Sequence, residues 1–127
     1  MLQTIPGIGP YIAASILGEI QDITRFPKTK HLIAYAGLDT KIRQSGIALN
    51  STGRLTKRGS SYLRRSLFIG ANVARQHDRQ FRALYDKKRA EGRTYKEATI
   101  VVARKLLQVA RSVWLSGKDY ALPEEVS

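Results

Sequence analysis

The sequence predicts a mainly α-helical domain, a compact packing of several helices, on three observations. Apolar residues recur at helical spacing through most of the second half of the chain, and those stretches begin on residues that cap helices. Only one long stretch, around residues 38–59, loses the period altogether, and a small β-hairpin or loop insertion is expected there. At 127 residues the chain is one domain's worth, able to bury roughly two-thirds of its unfolded surface. The domain is drawn over residues 1–120, with 121–127, "ALPEEVS", as a flexible tail.

Each element has a local reason. "YIAASILGEI" follows Pro10, which is pre-set for a first helical turn, and "TKHLIAYAGL" has Gly37 placed to end it. In "SSYLRRSLFIGANVARQ", starting at Ser60 or Ser61, the residues Leu63, Leu67, Gly70, Ala71 and Ala74 form one stripe, and its small members predict a close helix contact. Asp78 is the N-cap expected for "RQFRALYDKKRAEG", whose Phe81, Leu84 and Tyr85 face one way and whose Gly92 fits a C-terminal cap. Thr94 and Glu97 form a capping box ahead of Ala98, Val101, Val102, Leu106, Val109 and Val113, in register to about Trp114. The β-branched run "TIVVA" tempts toward a strand, but its period and length favour helix.

Composition removes several chemistries. With no cysteine there are no disulfides, thiolate nucleophiles or Cys-based zinc sites, and a reducing cytoplasm is the simplest home. No apolar run approaches the ~20 residues that span a bilayer, so no membrane partner is expected. His31 and His77 lie far apart without ligand partners and read as surface or packing residues, and Trp114 and Tyr85 as core aromatics.

The net charge of +12 is unevenly placed. Residues 1–39 balance at zero; residues 40–77 hold eight cations (Lys41, Arg43, Arg54, Lys57, Arg58, Arg64, Arg65, Arg75) and no acid; residues 78–127 hold eleven cations and seven acids. Concentrating two-thirds of the excess in 38 residues predicts a polyanion bound at one place, against the blander reading of a solvated basic face. Lys41, Arg43, Arg54, Lys57, Arg58, Arg64 and Arg65 are the candidate phosphate-binding side chains. Tyr62, beside the paired arginines, reads first as packing at a helix start and second as stacking or bonding to a phosphate.

Two further features concern phosphate. Gly7-Ile8-Gly9 is a tight turn running straight into a helix, where backbone N–H groups and the helix start can together hold a phosphate; Gly7 and Gly9 are candidates on that ground. The pattern resembles the hairpin of helix-hairpin-helix modules, although almost nothing of a first helix precedes it, and a tight turn that binds nothing is the alternative. The other feature is a hydroxyl in the basic segment. A serine becomes a useful nucleophile when cations stabilise its alkoxide and the charge developing on an attacked phosphorus. By spacing alone, Ser45, Ser51, Thr52, Ser60 and Ser61 are equally open to the role of a turn or cap hydroxyl.

The order "PGIGPYIAASILGEIQDITRF", "HLIAYAGLD", "RQSG" and "GRLTKRGSSYLRRSLFIGA" is similar to the C-terminal transposase domain of the insertion-sequence "one-ten" family, the bridge-RNA-guided DNA recombinases. The likeness runs from about Ile5 to Trp114. It implies Ser45, in the Ser45-Gly46 step, as the catalytic nucleophile that cuts DNA through a phosphoserine link. It also implies DNA as partner, a guide RNA as a second, a homo-oligomer, and an N-terminal RuvC-like domain with a magnesium site that this chain lacks. No cofactor is therefore assigned to these 127 residues, and the isolated chain is expected to fold and bind nucleic acid with little recombinase activity of its own. The alternatives are a non-catalytic helix-hairpin-helix binding module, in which Ser45 merely caps a turn, and an assembly domain with an RNA-binding face.

Overall fold

A computed structural model describes residues 1–38 and 60–120. Among these residues there are five α-helices and no strand: α1 (Pro10–Ile20), α2 (Thr29–Tyr35), α3 (Ser61–His77), α4 (Arg79–Ala90) and α5 (Tyr95–Ser116), with 3-10 turns at Leu2–Thr4 and Ile23–Arg25. The mainly α class is as the periodicity predicts. The hairpin expected around 38–59 falls, except for Leu38, outside the described residues, as does the tail 121–127.

The capping chemistry starts the last three helices where the sequence places them. Ser60 Oγ accepts from the Leu63 amide at 2.9 Å, Asp78 Oδ2 from the Phe81 amide at 3.0 Å, and Thr94 Oγ1 from the Glu97 amide at 3.2 Å. Glu97 completes its box by accepting from the Thr94 amide at 2.9 Å, and Gly117, with φ +72°, ends α5. The "TIVVA" run lies inside α5 with Thr99, Ile100, Val101, Val102 and Ala103 all buried: five consecutive residues go all the way round a helix, so α5 is enclosed on every side there.

Helix α3 is the hub. It packs on α1, α4 and α5, and α5 in turn reaches α2 and both 3-10 turns. Its stripe of Leu63, Ser66, Leu67, Gly70, Ala71 and Ala74 is buried, and the large side chains around it, among them Ile16, Leu32, Phe81, Leu106 and Leu107, fill the core. Leu84, Tyr85 and Trp114 pack on its edge. Gly70 supplies the close approach its stripe predicts: a Cβ there would lie 3.1 Å from the Gly7 carbonyl oxygen and 3.2 Å from Leu106 Cδ2.

Two polar ties complete the frame. Arg111, on α5, donates to the Phe26 and Pro27 carbonyls at 3.2 and 2.8 Å, fixing the chain just ahead of α2. The Tyr120 amide donates to Thr4 Oγ1 at 2.8 Å, so the two ends of the described fold lie side by side.

Candidate nucleic-acid interface

The basic segment leaves the described fold after Leu38 and rejoins it at Ser60, and the residues flanking it are bonded to one another. Gly37, at φ +71°, turns the chain off the end of α2, and the Leu38 amide donates back to the Ile33 carbonyl at 3.0 Å. The Ser60 amide donates to the Tyr35 carbonyl at 2.8 Å, which pins the return of the segment to the last turn of α2. The Ser60 hydroxyl, while capping α3, donates to the Glu19 carboxylate, and the Tyr35 hydroxyl donates to the Glu19 carbonyl at 3.4 Å. Departure and return of residues 39–59 thus share one place, at the foot of α3.

The first exposed turn above that place carries Tyr62, Arg64 and Arg65. Among the described residues no acid pairs with either arginine. Arg64 lays its stem along Gly37, where an added Cβ would meet Arg64 Cδ at 3.3 Å. Arg75 is committed differently: its guanidinium sits 4.3 Å from the centre of the Tyr85 ring and its Nε donates to Asn72 at 3.1 Å. Of the three described cations from the 40–77 run, Arg64 and Arg65 are the two whose guanidinium groups make no hydrogen bond, ion pair or ring contact with another described residue.

A cluster of hydroxyls adjoins them. The Tyr11 and Tyr62 hydroxyls, one on α1 and one on α3, are hydrogen-bonded at 2.9 Å, and the buried Ser15 hydroxyl approaches Tyr62 at 3.3 Å while donating to the Tyr11 carbonyl at 3.1 Å. The Ser15 and Tyr11 hydroxyls hold the Tyr62 phenol below its ordinary range, in that order of weight. Tyr11, bonded to Tyr62 and facing its charge, is pushed the other way, with Arg65 opposing the shift.

The two glycines have different surroundings. Gly9 is exposed at the N-cap of α1, on the turn that leads into Tyr11, and an added Cβ would meet nothing within 4 Å. Gly7, at φ +85°, lies against α3, where a Cβ would sit 2.3 Å from the Gly70 carbonyl oxygen. Packing therefore accounts for glycine at position 7. What precedes the turn is a single 3-10 turn, Leu2–Thr4, rather than a first helix.

Ser45 and the cations Lys41, Arg43, Arg54, Lys57 and Arg58 lie outside the described residues. Neither Tyr11, Ser15 nor Glu19 stands out by sequence spacing; the i, i+4 relation of Tyr11 and Ser15 marks one face of α1, but their partner on α3 lies 51 residues from Tyr11. Among the described residues no three His, Cys, Asp or Glu side chains gather. No helix among them is long and apolar enough to cross a membrane.

Comparison with known proteins bears on what this surface serves. Residues 1–86 match the family model described as the transposase IS116/IS110/IS902 family. The chain is 32% identical over 120 residues to an uncharacterized 43.6 kDa protein of insertion element IS110 from Streptomyces coelicolor, covering 94% of this chain and 29% of that one. It is 33% identical over 114 residues to the pilin gene-inverting protein of Moraxella bovis, covering 89% and 35% respectively. It thus spans about a third of the length of such relatives. No solved structure matches it significantly. With a family model covering more than half of its length, this chain belongs to the IS116/IS110/IS902 transposase family.

Proposed function

We propose that this chain is the DNA-binding, serine-bearing part of an insertion-sequence transposase or recombinase. Ser45 Oγ attacks a DNA phosphorus, the P–O bond to the leaving strand breaks, and the departing oxygen takes up the proton that the serine gives up. The phosphoserine link conserves the phosphodiester energy until a hydroxyl of another strand displaces it. Lys41 and Arg43 stand beside the serine in sequence, and Arg54, Lys57, Arg58, Arg64 and Arg65 hold the backbone. Magnesium, on this reading, belongs to an acidic domain outside this chain; a guide RNA and further subunits complete the assembly.

The observation that carries the reading is the shared departure and return of residues 39–59, bonded through Ser60 and Tyr35 at the foot of the turn bearing Arg64 and Arg65. It supports the reading because the segment that contains Ser45 returns to the fold at a cationic helix start, within a member of a transposase family. The test is covalent trapping. A transposase containing this region, incubated with end-labelled DNA and magnesium, is expected to give an adduct that survives denaturation and disappears in Ser45→Ala. An adduct that persists in that variant would assign the chemistry to another residue and overturn Ser45 as the nucleophile.

A further inference from the structure

The hydroxyl cluster between α1 and α3 is left unused by that reading, and its proton count is informative. Ser15, Tyr11 and Tyr62 bring three O–H groups. The Ser15 proton is taken by the Tyr11 carbonyl or the Tyr62 oxygen, and one phenol proton is taken by the other phenol. The third has no acceptor among the described residues. It sits on an exposed ring, Tyr11 being 65% and Tyr62 46% exposed, so neither phenol is held for the sake of packing. The rings are nevertheless fixed: their mutual bond spans two helices, and Ser15 braces it from the buried side at 5% exposure. A phenol pair fixed at the surface can offer its outward O–H to an acceptor from outside.

The surroundings specify the acceptor's charge. Arg65 follows Tyr62 by three residues and so lies on the same face of α3. Tyr62 sits in the first turn of that helix, where the aligned peptide dipoles favour an anion, and Arg65 begins the next turn. On the other side, Gly9 opens the exposed turn leading into Tyr11. Among the described residues the acid whose charge acts on the Tyr62 phenol is Glu19, and its carboxylate accepts from Ser60.

We propose that Tyr11, Tyr62 and Arg65 form a seat for a backbone phosphodiester of duplex DNA, beside the point where the Ser45-bearing segment joins the fold. This rests on the reading that the basic face holds DNA. In it, one phenol O–H and the guanidinium donate to the phosphate oxygens, and Ser15 and the second phenol hold the donor in place. The tyrosines are binding residues that fix the strand relative to the segment, with no part in bond making.

Neutral and charged donors leave different marks on salt dependence, which makes the seat testable. Anisotropy titrations of a labelled duplex across a range of salt are compared for the unsubstituted chain, Tyr11→Phe, Tyr62→Phe, the double variant and Arg65→Ala. Each Phe variant is expected to weaken binding about three- to tenfold with the salt slope unchanged, since a neutral hydroxyl releases no counterion. The double variant should lose little more than the weaker single, because the phenols act as one unit. Arg65→Ala should lower the magnitude of the slope by about 0.9. Phe variants that bind like the unsubstituted chain, while Arg65→Ala behaves as stated, overturn the phenol seat and spare the DNA-holding reading. Unchanged binding in Arg64→Ala and Arg65→Ala together sinks that reading itself. A loss seen only with an RNA of equal length overturns the assignment to DNA. A second measurement needs no substitution: the Tyr62 phenol, followed by NMR, should titrate at higher pH with duplex bound than without, and an unmoved titration overturns the seat.

Discussion

Gly7 and Gly9 stand two residues apart and meet opposite surroundings, which separates backbone packing from ligand binding residue by residue. At Gly7 an alanine must adopt φ +85° and place its Cβ 2.3 Å from a backbone oxygen on α3, so something in the hub has to shift. Gly7→Ala should cost about 2–4 kcal/mol in urea unfolding, from strain and overpacking together. Gly9→Ala, with open space and φ −84°, should stay within about 0.5 kcal/mol in the same experiment. From sequence the two looked alike, because a Gly-x-Gly turn announces unusual backbone but not which neighbour requires it. Tyr62 was half legible in the same way: its place at a helix start follows from Ser60, whereas its bonds to Tyr11 and Ser15 join helices distant in the chain.

Helix boundaries were the most legible level, since caps and stripes depend on neighbours within four residues. Ser60, Asp78 and Thr94 each start the helix expected of them. Asp78 is 7% exposed and accepts from the Phe81 amide, so Asp78→Ala should destabilise by about 1–2 kcal/mol in thermal or urea unfolding, while Asp78→Asn, whose side-chain oxygen can still accept from that amide, should recover much of that loss. The box at Thr94 carries a pH signature. The Thr94 amide bonded to Glu97 holds its carboxyl below the ordinary glutamate range. A carboxyl depressed in the folded state stabilises above its unfolded value, and that contribution fades as pH falls through the folded value. Glu97→Gln should therefore flatten the acid side of the stability profile and leave the neutral side lower; parallel profiles for the two proteins would count against it. Ahead of the Gly7 turn, where the sequence offered almost nothing of a first helix, stands the single 3-10 turn Leu2–Thr4; its tie through Thr4 to the Tyr120 amide was not legible, since it joins residues 116 apart.

For the molecule as a whole, charge placement predicts behaviour more directly than charge total. A chain whose zone from 40 to 77 carries eight cations and no acid should bind duplex DNA with an affinity that falls steeply with salt. Arg75→Ala should leave the slope of log K against log salt unchanged, because that guanidinium is occupied by Tyr85 and Asn72. Equal slopes for Arg64→Ala and the unsubstituted chain would be the contrary result. The mainly α class and the central stripe of α3 were readable because helical period is a property of short windows. The meeting of Tyr11 with Tyr62, and of Ser60 with Glu19 and Tyr35, was not, since each depends on how α1 and α2 dock on α3.

The bond from the Ser60 amide to the Tyr35 carbonyl has an evolutionary corollary. A stretch whose two anchor points already touch can gain or lose residues at little thermodynamic cost, about 0.6 kcal/mol for each doubling of its length. Relatives could accordingly vary the number of residues between Leu38 and Ser60 like exchangeable cassettes on an unaltered chassis, retuning what is handled while the helical scaffold stays as it is.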